Sequence, residues 1–135
     1  MTLTIRQAVV LGAGTMGAQI AAHLANAGVP VLLLDTTAEV AAAGLKRAIG
    51  LKPDPFHTPE ARTLIRTGAL TDLTPLSSAD WIIEAIVEDL AIKRALLERV
   101  DMVRAPHAIV TSNTSGIPLG ALAEGRSDSF RAHWL

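Results

Sequence analysis

The stretch Ala8 to Gly17 reads Ala-Val-Val-Leu-Gly-Ala-Gly-Thr-Met-Gly, and Asp35 closes the next apolar run. Gly12 permits a tight turn, Gly14 lets a ligand approach the backbone where a Cβ would collide with it, and Gly17 lets a helix lie close to a strand. A helix that opens at such a turn offers unpaired amides and roughly half a positive charge. This chemistry suits the diphosphate of a dinucleotide, with Gly12, Ala13, Gly14, Thr15, Met16 and Gly17 forming the cradle. Asp35 can accept hydrogen bonds from a ribose hydroxyl and would repel a 2′-phosphate, which favours NAD over NADP. The alternative for Asp35 is a helix-capping acid, and FAD shares the glycine pattern.

Other reactive groups sit where strands should end. Glu88 follows an apolar run, and Lys93 lies in the helix after it. Asn113, Thr114 and Ser115 follow a later run. Each has a structural alternative: an acid in a helix's first turn, a solvated helix lysine, and a turn serine beside Gly116. His23, His57, His107 and His133 do not pair at one-turn spacing, so no metal site is expected. The chain has no cysteine, which excludes disulfides and thiolate chemistry.

The elements that must position these groups alternate. Strands are expected at Ala8 to Leu11, Val31 to Leu34 and Trp81 to Val87. Another is expected at Ala108 to Ser112, with short ones at Leu70 to Leu73 and Arg131 to Leu135. Helices are expected from Thr15 to Ala27, ended by Gly28, and from Ala38 to Ile49, capped by Thr36 or Thr37. Thr58-Pro59-Glu60 opens a further helix reaching Arg66 and stopping at Gly68. Leu90 to Arg104 reads as amphipathic, with Ile92, Leu96, Leu97, Val100 and Val103 inward and Lys93, Arg94, Glu98 and Asp101 outward. Pro118 to Ala123 is a short helix. The fold class is α/β, a Rossmann-type doubly wound, mostly parallel sheet, truncated before its last strands. Right-handed crossovers bring the strand-end groups to one crevice.

With 135 residues there is room for one domain, and a net charge of -1 without a basic block argues against a nucleic-acid partner. No apolar run approaches the roughly 18 residues of a membrane span. Met1 to Arg6 leads directly into the first strand and leaves no room for a signal peptide, so a cytoplasmic location is expected.

Three motifs in order carry a resemblance. They are Gly12-Ala13-Gly14-Thr15-Met16-Gly17, then Glu84-Ala85-Ile86-Val87-Glu88-Asp89 with Lys93, then Ser112-Asn113-Thr114-Ser115. Together they resemble the NAD-binding domain of 3-hydroxyacyl-CoA dehydrogenases, the oxidoreductases of fatty-acid β-oxidation. The resemblance implies NAD as cofactor, (S)-3-hydroxyacyl-CoA as substrate and 3-ketoacyl-CoA as product. It implies that Asp35 binds the adenosine ribose, and that Glu88 and Lys93 contact the cofactor toward its nicotinamide end. Ser115 would lie near the nicotinamide and the substrate hydroxyl, in a supporting catalytic role, and Asn113 would shape the same loop.

The family's general base is a histidine preceded by Phe-x-Gly-x, followed by Asn-Pro and oriented by a glutamate. Phe130-Arg131-Ala132-His133 lacks that glycine and is one residue short, so His133 is read as a bystander on an edge strand. The base, its glutamate and a C-terminal helical domain that completes the substrate cleft and the dimer are expected outside this chain. Residues 1–135 are then one NAD-binding domain, inactive alone, with a homodimer possible. The family's CoA contacts do not transfer onto Lys46 to Thr58, and Lys46, Arg47 and Lys52 read as a solvated face. A non-catalytic NAD(H)- or partner-binding module, or another NAD(P)- or FAD-dependent enzyme sharing the first βαβ unit, stays open as an alternative.

Overall fold

The computed structural model describes residues 4–135, so the first three residues of the lead-in lie outside the described region. Five strands form one parallel sheet: β1 (Ala8–Leu11), β2 (Val31–Asp35), β3 (Ile65–Ala69), β4 (Trp81–Glu84) and β5 (Ile109–Ser112). The order across the sheet is β3-β2-β1-β4-β5. β1 lies at the centre, with Ala8 opposite Val31 on one side and Trp81 on the other. The order reverses beside β1, which opens a crevice at the C-terminal edge.

Alternate strand residues feed two cores. Ala8, Val10, Val31 and Leu33 face α1 (Thr15–Asn26) and α2 (Ala38–Ile49). Val9, Leu11, Leu32 and Leu34 face α3 (Leu90–Val103) and α4 (Leu119–Ala123), with Phe130 of α5 (Asp128–Ala132). Each fully buried valine or leucine stabilises the sheet by about 2 kcal/mol, so the centre is rigid and fixes where its edge loops begin.

The first half follows its local signals. The Thr37 hydroxyl accepts from the Val40 amide at 3.1 Å and caps α2, and Gly28 ends α1 with φ 84°. Ala18, Ala21, Ala22 and Ala25 are buried against the sheet, as expected of small residues that allow close approach.

The middle of the chain requires corrections. The Thr58 cap is present, but it starts only a 3-10 turn, Pro59–Leu64. The expected helix to Arg66 and strand at Leu70 to Leu73 give way to β3 at Ile65–Ala69, paired residue by residue with β2. Gly68 is not a helix stop; the Leu34 side chain of the neighbouring strand lies over it. β4 ends at Glu84 instead of Val87, because the Glu84 carboxylate accepts the Ile86 amide at 2.8 Å and turns the chain out of the ladder. Of the expected last strand, Arg131 and Ala132 close α5, and only Trp134 pairs, in a single parallel bridge to Val110.

Candidate functional site

The site begins where β1 runs into its glycine turn. Gly12 has φ 108°, a left-handed conformation that suits glycine, and a Cβ there would press on the Ala85 carbonyl. A Cβ on Gly17 would overlap the Gly12 carbonyl oxygen, so α1 meets the strand at backbone distance. At Gly14, by contrast, a Cβ would meet nothing within 4 Å. Gly14 is the N-cap of α1 and has no side-chain cap, and Thr15 and Met16 are exposed beside it. The open space lies directly before a helix N-terminus.

Two of the six expected cradle residues do a different job. The Gly12 amide donates to the Leu34 carbonyl at 2.7 Å, and the Ala13 amide donates to Asp35 Oδ2 at 2.7 Å. Both shape the turn and offer no bare amide, which leaves the first-turn amides from Gly14 to Gly17 as those without an intrahelical partner. Asp35 is therefore aimed at the turn from the end of β2, and its other oxygen accepts from Thr36 N at 2.6 Å. Gly44 of α2 was not expected here: its hydrogen-only side chain lets α2 sit on the Ala13 carbonyl oxygen, where a Cβ would overlap. A glycine inside an otherwise alanine-rich helix was the available signal.

Across the crevice, β4, α3 and β5 meet on a polar network. Lys93 is buried, not solvated, and the amphipathic reading of α3 is corrected accordingly. Its Nζ lies 2.9 and 2.7 Å from the two oxygens of Glu84, also fully buried, and 3.2 Å from Glu88 Oε1. Ile92, expected inward, is half exposed. Glu88 Oε1 accepts the Thr114 hydroxyl at 2.5 Å, and Oε2 accepts the Ser115 amide at 3.0 Å and the Gly116 amide at 3.3 Å. The Ser115 hydroxyl lies 3.4 Å from the same oxygen. The Thr114 hydroxyl first, then the Ser115 amide, with Lys93 and Gly116, hold the Glu88 carboxyl down to about 2 against partial desolvation. A lowered folded-state value means the anchoring is complete above the ordinary glutamate range and is lost as pH falls through the lowered value. Amide shifts of Ser115 and Gly116 followed by NMR are expected to titrate near pH 2; a midpoint in the ordinary glutamate range near pH 4 contradicts the anchoring.

Between these two walls lies a cleft of about 340 Å³, lined by Gly14, Thr15, Met16, Glu88, Lys93 and Asn113. Ile86 shares it with a second cleft of about 390 Å³ toward β3, lined by Thr36, Leu70, Ile92 and Arg99 among others. The expected convergence of strand ends is therefore present: the glycine turn, Asp35, Glu88, Lys93, Asn113 and Ser115 all border one edge. Among the described residues, no histidine side chain bonds to Asp35, Glu84 or Glu88, although His23 lines a neighbouring cleft with Met16, Ser112 and Asn113. The His133 ring bonds the Ser129 carbonyl, His107 pairs with Asp80, and His23 is exposed on α1. Among the described residues, no group of histidine, aspartate and glutamate side chains could hold a metal ion.

Comparison with known proteins decides what the edge belongs to. Residues 7–135 match the family model described as 3-hydroxyacyl-CoA dehydrogenase, NAD binding domain. The chain belongs to this family. A probable 3-hydroxyacyl-CoA dehydrogenase of Deinococcus radiodurans is 44% identical over 98% of the chain, which spans 41% of that relative. The solved structure of Escherichia coli 3-hydroxybutyryl-CoA dehydrogenase superposes with TM-score 0.79 at 35% identity, over 94% of the chain and 28% of its own. FadB2 of Mycobacterium tuberculosis gives TM-score 0.81 at 33% identity, over 98% of the chain and 48% of its own. The chain thus spans less than half the length of these relatives. NAD is the cofactor of the domain that defines this 3-hydroxyacyl-CoA dehydrogenase family. The open space at Gly14 and the amides beside it fit a diphosphate, and Asp35, held at the same turn, fits the adjoining sugar. Among the described residues no helix is long and apolar enough to cross a membrane.

Proposed function

We propose that residues 1–135 are the cofactor domain of a 3-hydroxyacyl-CoA dehydrogenase and serve the oxidation of (S)-3-hydroxyacyl-CoA to 3-ketoacyl-CoA. The observation that carries this reading is the open space at Gly14 with Asp35 aimed at the same turn. The amides of Gly14, Thr15, Met16 and Gly17 would hold the diphosphate, on a turn shaped by Gly12 and Ala13. Each Asp35 oxygen accepts one amide and keeps a lone pair for a ribose hydroxyl. A 2′-phosphate would face that carboxylate, so NAD is preferred to NADP. The apolar walls Leu70, Ile86 and Ile92 suit an adenine ring. Glu88, Lys93, Asn113 and Ser115 would border the nicotinamide end.

The chemistry that NAD supplies there is hydride acceptance. This chain's part is to bind and orient. Ser115, exposed at the end of the Glu88-anchored loop, would hold the substrate hydroxyl. Oxidation of that hydroxyl also needs a proton acceptor, and His133 is turned onto the Ser129 carbonyl. The acceptor, its glutamate and a helical domain completing the substrate cleft and a homodimer are assigned to the additional length that the relatives carry. A cytoplasmic setting belongs to the same reading. The test is titration of the purified 135-residue chain with NADH and NADPH, then incubation with (S)-3-hydroxybutyryl-CoA and NAD⁺. Binding of NADH over NADPH with little or no turnover is expected. Turnover at an ordinary enzyme rate contradicts the assignment of the base elsewhere.

A further inference from the structure

We propose that Glu84, the last residue of β4, is a positioning residue that fixes the Asn113–Gly116 loop, acting through Lys93 and Ser112. The proposal rests on the NAD reading and adds a residue which that reading leaves unused. Both Glu84 oxygens are fully engaged: Oε1 by Lys93 Nζ and by the Ser112 hydroxyl at 2.5 Å, Oε2 by Lys93 Nζ and the Ile86 amide. The exit of β4, the first turn of α3 and the end of β5 therefore meet on one buried carboxylate.

Two routes lead from it to the loop. In the first, Lys93 spends its remaining donor on Glu88, which holds Thr114, Ser115 and Gly116. In the second, the Ser112 oxygen accepts the Thr114 amide at 3.1 Å. The last ladder bond of this segment is Asn113 N to the Glu84 carbonyl at 2.8 Å. Past it, side chains rather than sheet set where Ser115 stands.

Stability alone does not call for this arrangement. Taking a carboxylate and an ammonium out of water costs about what their attraction returns, and apolar residues of equal volume fill such space as well or better. The pair lies directly under the cleft wall, where rigidity in the loop has a use. The charged groups facing Lys93 are Glu84 from β4 and Glu88 from the β4–α3 loop. β5 brings the uncharged Ser112, and the turn across the cleft brings Gly14, Thr15 and Met16. Removing the Glu84 charge leaves Lys93 with one half-exposed counter-ion, Glu88, and frees its ammonium from the end of β4.

The experiment compares the wild-type chain with Glu84→Gln, Glu84→Asp and Ser112→Ala. It measures NADH affinity, and amide exchange at Ser115 and Gly116 in the cofactor-free chain. Glu84→Gln is expected to weaken NADH about tenfold, the loss of one charge-assisted hydrogen bond. It should also speed exchange at both amides. Glu84→Asp, which keeps the charge, is expected to recover most of the NADH affinity and to slow exchange at both amides again, a rescue that a loss of bulk alone would not give. If Glu84→Gln does not fold, Ser112→Ala cuts the second route, and faster exchange with weaker NADH is expected from it alone. Folded variants that bind NADH within about twofold of wild type, with unchanged exchange, overturn the proposal and leave the NAD reading standing. A wild-type chain that does not bind NADH overturns both.

Discussion

Gly17→Ala is expected to destroy NADH binding and to destabilise the chain by about 3 kcal/mol, the upper end of what forced overpacking costs. The added methyl would overlap the Gly12 carbonyl oxygen, a backbone atom in a turn that has no slack. The Gly12 amide is tied to Leu34, and its own Cβ position abuts the Ala85 carbonyl. Relief requires α1 to move off the strand, which opens the core that Ala18, Ala21 and Ala22 close. Gly14→Ala is the informative counterpart. Its methyl would project into open space, and the change from glycine to alanine at an N-cap costs only about 1 kcal/mol or less. Stability should barely change while NADH affinity falls by about a hundredfold, a loss of roughly 2.7 kcal/mol in binding. Urea unfolding and NADH fluorescence titration on the two variants separate the roles. A Gly14→Ala chain that binds NADH as tightly as wild type would mean that the diphosphate lies elsewhere.

Asp35→Ala is the second large effect expected. The carboxylate joins two elements, accepting the Ala13 amide of the turn and the Thr36 amide at the start of the next loop. Hydrogen bonds to a charged acceptor contribute about 1.5–3 kcal/mol each. Losing the ribose contacts together with the bond that orients the turn should weaken NADH by about a hundredfold or more. NADPH binding should change little, because the repulsion that excluded a 2′-phosphate leaves with the charge. The preference for NADH should therefore disappear. Parallel titrations with both dinucleotides check it, and a wild-type chain that prefers NADPH contradicts the role given to Asp35.

The part of the fold from β1 to α2 was legible because its signals are local. Gly12 and Gly28 end elements with positive φ, Thr37 caps, and continuous apolar runs mark strands buried on both faces. β3 was misplaced because its identity comes from its partner. Ile65 to Ala69 is a strand through pairing with Val31 to Asp35, across a sequence separation that no local pattern reports. Lys93 was misread because helical periodicity assigns any lysine to the wet face. The signal that would have corrected it is Glu84. A carboxylate at the end of the apolar run Trp81 to Ile83, on a strand buried from both sides, demands a cation, and Lys93 one element later supplies it. The convergence of the strand-end groups was legible because it follows from handedness and strand order, without any side-chain detail.

The most direct test of the central claim is a crystal structure of this chain grown with NAD⁺. The diphosphate is predicted against the amides of Gly14 to Gly17, with a ribose hydroxyl on the Asp35 carboxylate and the Ala13–Asp35 bond intact. A cofactor seated away from the glycine turn, or an Asp35 side chain turned out of the crevice, would contradict it.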